Sequence, residues 1–186
     1  MTNKKKILIL IPALAILFGG GTLALHHTSK ASSIPVVNVS GDLNKVFKTV
    51  SDLKNNAPLI IEAEVVKGTS FEYNHVIFTK NNLLVKKVYK GDLQGKQNID
   101  ILETGGISDN KEFVLEGNPV SKPGEKLVLF LKKYDGPVTE DAYTIEGAYQ
   151  GKFTFDDGKK ISFKKANEKF GELQSIQSIN DLQLDK

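Results

Sequence analysis

The chain has 186 residues with 25 lysines and arginines against 22 acids, a formal net charge of +3, and no cysteine. All the fixed positive charge is lysine, so bidentate guanidinium recognition of phosphate or carboxylate is excluded. The lack of cysteine rules out disulfides, thiolate chemistry and a lipid-modified cysteine.

Lys4, Lys5 and Lys6 precede an apolar run from Ile7 to Phe18 that continues through Gly19, Gly20 and Gly21 to Leu25. This is the charged and then hydrophobic pattern of a secretory leader. Ser29 and Ala31 are small residues two apart, which places cleavage between Ala31 and Ser32. The alternative is an uncleaved anchor, because Ile7 to Leu25 approaches the ~20 residues that span a hydrocarbon core. In that case the lysines stay inside and the domain faces out. Either way the protein is expected to be secreted or held on the outer face of the cytoplasmic membrane. Any membrane contact would run through the N-terminal segment alone.

Four of the lysines lie in residues 1–31, which hold no acid, so the rest of the chain carries one more acid than base. The positive balance is thus an export feature, and a nucleic-acid partner is not expected. His26 and His27 also belong to the leader, leaving His75 and no thiol. A zinc site of the usual kinds is not expected, nor any other cofactor or metal. The lysine bias suggests a low-GC Gram-positive source.

Residues 32–40 read as a linker and 41–180 as one β-rich extracytoplasmic domain. Leu43, Val46, Phe47, Val50 and Leu53 share one face of a helix, with Ser40 as N-cap and Asn55-Asn56-Ala57-Pro58 as its end. Leu59 to Lys67 alternates as a strand. Val76 to Thr79 and Leu83 to Tyr89 read as two strands joined by a turn at Lys80-Asn81-Asn82, with a bulge at Lys86-Lys87. Ile99 and Ile101 mark a short strand ending at Glu103. Leu127 to Leu131 is apolar at five successive positions, as in a central strand covered on both faces. Ala142 to Gln150 leads through Gly151 to Phe153 and Phe155. Asp157-Gly158 marks a tight turn whose far arm carries Ile161 and Phe163. Ala166 to Ile179 has helical spacing weakened by Gly171.

These elements predict a mainly β fold. The preferred form is an OB-like, partly closed antiparallel barrel with a flanking N-terminal helix and a short C-terminal helix; a β-sandwich is the alternative. Ile60-Ile61-Glu62-Ala63-Glu64-Val65, Val85-Lys86-Lys87-Val88-Tyr89-Lys90-Gly91 and Glu103-Thr104-Gly105-Gly106 follow one another in order. Lys122-Pro123-Gly124-Glu125-Lys126 then runs into the apolar strand, and Gly151-Lys152-Phe153 closes the series. Over residues 58 to 155 this order resembles secreted bacterial proteins of unassigned role with an OB-type barrel, similar in layout to netrin and metalloproteinase-inhibitor domains. Those eukaryotic inhibitors chelate a protease metal through an N-terminal cysteine, a mechanism this chain cannot use.

The longest non-repetitive stretch, Thr104 to Lys122, is the candidate interaction loop, with Glu103, Thr104, Gly105, Gly106, Asp109 and Glu112 as its leading residues. The competing reading is a solvated excursion with a short strand around Phe113, Val114 and Leu115. Gly105-Gly106 lacks the following Gly-Lys-Ser/Thr of a phosphate loop and reads as a turn. Asp156-Asp157-Gly158 lacks the further acids of a calcium loop. The lysine pairs read as solvated strand edges, or as contacts for anionic wall polymer or lipid. No catalytic residue is assigned. The expectation is a monomeric, non-enzymatic envelope module that binds a protein, peptide or wall polymer. A carboxylate-based hydrolase, using acids such as Asp135, Glu140 and Asp141 or His75, is one alternative; a structural or stress-related envelope protein is the other.

Overall fold

A computed structural model of the chain describes residues 34–43, 45–162 and 168–185. The chain divides into two units, Met1–Ser32 and Ser33–Lys186, and all described residues lie in the second. Its strands are β1 (Val36–Val39), β2 (Leu59–Tyr73), β3 (Val76–Lys90), β4 (Asn98–Ser108), β5 (Lys111–Leu115), β6 (Lys126–Lys133), β7 (Ala142–Ile145) and β8 (Lys152–Phe155), and its α-helix is α1 (Val50–Asn56). Two 3-10 segments follow, Glu168–Ser175 and Ile179–Leu182. Among the described residues no helix is long and apolar enough to cross a membrane.

Five strands pair in a ring. β2 and β3 are antiparallel, as are β3 and β4; β4 meets β7 in parallel, β7 pairs antiparallel with β6, and β6 returns to β2. β8 lies beside β7 on the same edge of β6. Beyond the ring, the far end of β4 pairs with β5, and β5 pairs in parallel with β1.

The period-two pattern explains two cores, one on each face of the ring. Ile61, Ala63 and Val65 of β2 point inward with Leu83, Ile99, Ile101, Leu127, Leu129 and Ile145. Ile60 points outward with Val128, Phe130 and Phe153, and this second layer is covered by Phe47, Leu53, Leu173 and Leu182. The apolar run Leu127 to Leu131 is therefore a strand buried on both faces, as its composition predicts. Each such side chain contributes about 1.5–3 kcal/mol through burial. Phe130 and Phe153 meet edge to face with centroids 5.7 Å apart.

The expected turn at Lys80-Asn81-Asn82 is absent, because β3 runs straight through it. Asn81 is fully buried inside the ring, and Asn82 donates outward to Asp100 at 2.8 Å. The Asn81 amide nitrogen donates to Glu103 Oε2 at 2.8 Å and to Ser121 O at 3.2 Å, so neither asparagine bonds its own backbone as a turn would have it. The chain reverses instead at Asn74 and His75, both at positive φ, as a two-residue hairpin turn requires. The expected bulge holds: Glu62 pairs with Lys87 and Ala63 with Val85, leaving Lys86 without an opposite residue. The Asp157-Gly158 turn holds too, with the Lys159 N–H donating to Asp156 O at 2.9 Å and Phe155 bridging Ile161. Phe163 lies outside the described residues.

The N-terminal helix is shorter than its periodicity suggests and begins later. Thr49, not Ser40, is the N-cap; its hydroxyl accepts from the Asp52 N–H at 3.0 Å. The reason lies far along the chain. The buried Gln150 amide accepts from the Phe47 N–H at 2.8 Å and donates to the Phe47 carbonyl at 2.9 Å. With both backbone groups of Phe47 satisfied in this way, the segment before Thr49 stays non-helical while Phe47 still reaches the outer core. Within residues 32–40, read as a linker, Val36–Val39 forms β1. At the C-terminus Gly171 adopts φ 54, ψ −132 inside the first 3-10 segment, which breaks the expected continuous helix. Ala166 and Asn167 of that helix lie outside the described residues.

Candidate functional site

The candidate loop is mostly sheet. Glu103 and Thr104 lie within β4, Gly105 and Gly106 continue it at φ 112 and 131, and Asp109 with Asn110 forms a two-residue turn into β5. A Cβ on Gly106 would lie 2.2 Å from Thr79 Oγ1 and 2.3 Å from Ser70 Oγ, so only glycine fits this crossing. Thr79 Oγ1 donates to Gly105 O at 2.8 Å, and Ser70 Oγ accepts from the Ile107 N–H at 3.1 Å. Glu112 is held by Lys122 at 3.0 Å. Ala31 and Ser32, the expected cleavage pair, lie outside the described residues.

Glu103 is the centre of a polar cluster at one end of the ring interior and is 5 % exposed. Lys152 Nζ donates to its Oε1 at 2.7 Å and to Pro119 O at 2.8 Å. The other oxygen accepts from Asn81 Nδ2 at 2.8 Å and from the Ser121 N–H at 3.1 Å. Lys152 is on β8 and Glu103 on β4, so this pair ties together two strands that share no backbone pairing. A buried carboxylate with a full set of donors is a structural tie.

A second buried carboxylate has none. Glu146 is 7 % exposed as a residue, and among the described residues no hydrogen bond or ion pair reaches its side chain, whose carboxylate oxygens keep contact with solvent. It lines a groove of 540 Å³ together with Asp42, Leu43 and Lys45, Lys132 and Lys133 at the end of β6, Tyr134 and Asp135 of the following connection, and Thr144 of β7. The turn Glu146–Gly151 builds the groove's floor: Gly147 and Ala148 sit at positive φ, and Gly151 N–H closes the turn onto Glu146 O at 2.9 Å. The Gln150 clamp holds Phe47, two residues along the chain from the lining residue Lys45.

Two of the groove's three lysines are engaged. Lys133 binds Asp141 at 2.5 Å and lies over the Tyr143 ring at 4.8 Å. Lys45 donates to Asn56 Oδ1 and lies over the Phe47 ring. Asp141 also takes Lys96, and hydrogen bonds from Lys133 and then Lys96 hold its carboxyl below the usual range. Asp42, Asp135 and Lys132 are exposed at the rim.

A smaller pocket of 330 Å³ lies over the outer face of β2. Its charges are consumed internally: Lys86 pairs with Glu64 at 3.2 Å, Lys126 with Asp157, and Tyr89 donates to Glu62 at 3.0 Å. Burial first, then the Glu62 contact, pushes the Tyr89 phenol far up.

His75 sits at the tip of the β2–β3 hairpin with a 99 % exposed side chain, 3.4 Å from Glu72. Among the described residues no three of His, Asp and Glu converge as metal ligands. Of the acids in the β6–β7 connection, Asp141 is tied to two lysines and Asp135 faces the groove, while Glu140 is exposed. Sequence reasoning missed Glu146 and Gln150. The signal available was the bracketing pair Gly147 and Gly151, which marks a tight turn but says nothing of burial. Comparison with known proteins finds no matching family model and no curated relative.

Proposed function

We propose that the chain is an exported, non-enzymatic binding module of the bacterial cell envelope, built on an OB-type barrel. The strand order supports the barrel reading. In an OB barrel the five strands form a Greek-key ring in which the third and fifth strands meet in parallel; here β2, β3, β4, β6 and β7 occupy those places and β4 meets β7. The N-terminal leader supports export.

The observation that carries the binding reading is the groove around Glu146. It is bounded by the β6–β7 connection, which in the OB reading is one of the two loops that frame ligands. The groove offers a carboxylate that no donor of the protein occupies, on a tight turn beside an amide clamp, and preformed concave sites of this kind bind ligands.

Hydrogen exchange on the protein incubated with cell-wall extract or with membrane proteins tests the reading. Slowed exchange should concentrate in residues 42–47 and 144–151. Unchanged exchange there in every fraction would refute it. Mass spectrometry of the protein from its native host should find a start at Ser32 if it is secreted, or an intact Lys4 to Leu25 if it is anchored.

A further inference from the structure

We propose that Lys152 and Asn81 join in an intramolecular amide bond, with Glu103 carrying the protons. This goes beyond the binding reading and does not depend on it. Glu103 holds an amine and a carboxamide on its two oxygens: Lys152 Nζ donates to Oε1 at 2.7 Å, and Asn81 Nδ2 donates to Oε2 at 2.8 Å. A nucleophile and an acyl group are thereby kept within the span of one carboxylate, which removes much of the entropy of their encounter. The site also excludes water, since Asn81 is fully buried and Glu103 nearly so. A cluster serving only as a noncovalent tie would have its buried polar atoms paired. Two are not: among the described residues, Asn81 Oδ1 and Ser121 Oγ are buried without a hydrogen-bond partner. Both belong to this cluster, because Asn81 Nδ2 also donates to Ser121 O at 3.2 Å and the Ser121 N–H donates to Glu103.

Each atom of the cluster has a part in the reaction. Glu103 Oε1 takes a proton from the Lys152 ammonium, and the freed lone pair attacks Asn81 Cγ. The Nζ–Cγ bond forms while the carbonyl pair moves onto Oδ1, and the Ser121 hydroxyl is the uncommitted donor of the cluster for that charge. Asn81 Oδ1 lies against Gly68, where a Cβ would come within 2.2 Å of it, so the leaving nitrogen is the end of the amide that faces Glu103. When the pair returns, the Cγ–Nδ2 bond breaks. Glu103 passes its proton to the departing Nδ2, which leaves as ammonia, and takes the second proton from Nζ. Ammonium, carboxylate and carboxamide thus become an amide, a neutral acid and ammonia. Two buried charges disappear, and with them the cost of holding them away from water. The bond ties β3 to β8, which share no backbone pairing, and closes a long loop in the unfolded chain.

The test is mass spectrometry of the full chain, intact and after digestion with trypsin. The intact mass should be lower by one ammonia, about 17 Da. Trypsin cannot cut after an acylated lysine, so residues 81–86 should emerge joined to residues 134–159 as one branched peptide. Glu103→Gln, which keeps the shape of the side chain and removes the proton carrier, should release the two peptides separately, with cleavage after Lys152. Asn82→Asp, next along β3 but facing outward to Asp100, should leave the branched peptide in place. An intact mass with no loss, together with a free 81–86 peptide and a cut after Lys152 in the parent protein, would overturn the inference. So would loss of water with Lys152 joined to residues 97–111, which would make Glu103 the acyl group, or a branched 81–86 peptide formed in full by E103Q. The parent protein decides whether the bond exists even if E103Q does not fold.

Discussion

Glu103 and Glu146 are buried to nearly the same extent, at 5 % and 7 % exposure, and differ in everything around them. Glu103 closes the end of the ring by tying β4 to β8 through Lys152, with Asn81 and Ser121 filling its remaining acceptor sites. Glu146 sits on a turn beside a groove without a donor. The contrast separates two uses of a buried charge. A carboxylate saturated by its own chain serves the fold, and one left unsaturated beside open volume is available to a ligand.

The largest expected effect comes from breaking the saturated site. Lys152→Ala strands the Glu103 charge in the interior and should cost about 3–5 kcal/mol in denaturant unfolding. Replacing both partners together, Glu103→Leu with Lys152→Met, should cost clearly less than the sum of the single changes, because no orphan charge remains. An additive result would mean that Glu103 and Lys152 do not act as a pair.

Next in size is the wall of the groove. Gln150→Ala removes both hydrogen bonds to Phe47 and should cost about 2 kcal/mol, since it also leaves a buried N–H and carbonyl unpaired. Hydrogen exchange should accelerate at Phe47 more than in β6. If the two rise equally, the amide is not a local clamp. Gly106→Ala, which drives a Cβ into Thr79 and Ser70 at a positive φ, should cost a comparable amount by thermal unfolding.

Glu146→Gln sharpens the comparison from the other side. Neutralising a carboxylate that no donor of the protein engages should leave stability within about 1 kcal/mol of the parent. A loss as large as that of Lys152→Ala would show that Glu146 has a structural partner after all.

The smallest effect is titration of Asp100. Burial raises its pKa, but hydrogen bonds from Asn82 and Lys80 outweigh that and leave it below the usual value. A carboxyl depressed in the folded state adds stability above its unfolded value of about 4, and that stability is lost as pH falls through the lower folded pKa. Solvent screens this half-exposed site, so Asp100→Asn should flatten the stability profile only slightly, and only below about pH 4. A change at neutral pH as large as that below pH 4 would show that Asp100 acts otherwise than by charge.

Strand positions were legible where side chains alternate. The two-sided run Leu127 to Leu131, the bulge at Lys86 and the Asp157-Gly158 turn are all local consequences of residue order. The segment before Thr49 was misread because its apolar spacing suits a helix, and the competing partner of Phe47 is Gln150, 103 residues away. Asn81 and Asn82 looked like a turn because asparagine's usual local partner is its own backbone; in this protein the partners are Glu103 and Asp100. The candidate loop was named for its length and acids, and those acids include the most firmly tied carboxylate among the described residues.

By itself, the sequence determined the β-rich class, the place of the central strand, and the absence of thiol and guanidinium chemistry. These follow from composition and from periods of two, which need only neighbouring residues. Tertiary structure decided which carboxylate is saturated and which is open. Burial and hydrogen-bond partnership join residues far apart in the chain: Glu103 is tied to Lys152, and Glu146 shares its groove with Lys132 and Asp42. Nothing in the local sequence of either acid distinguishes the two.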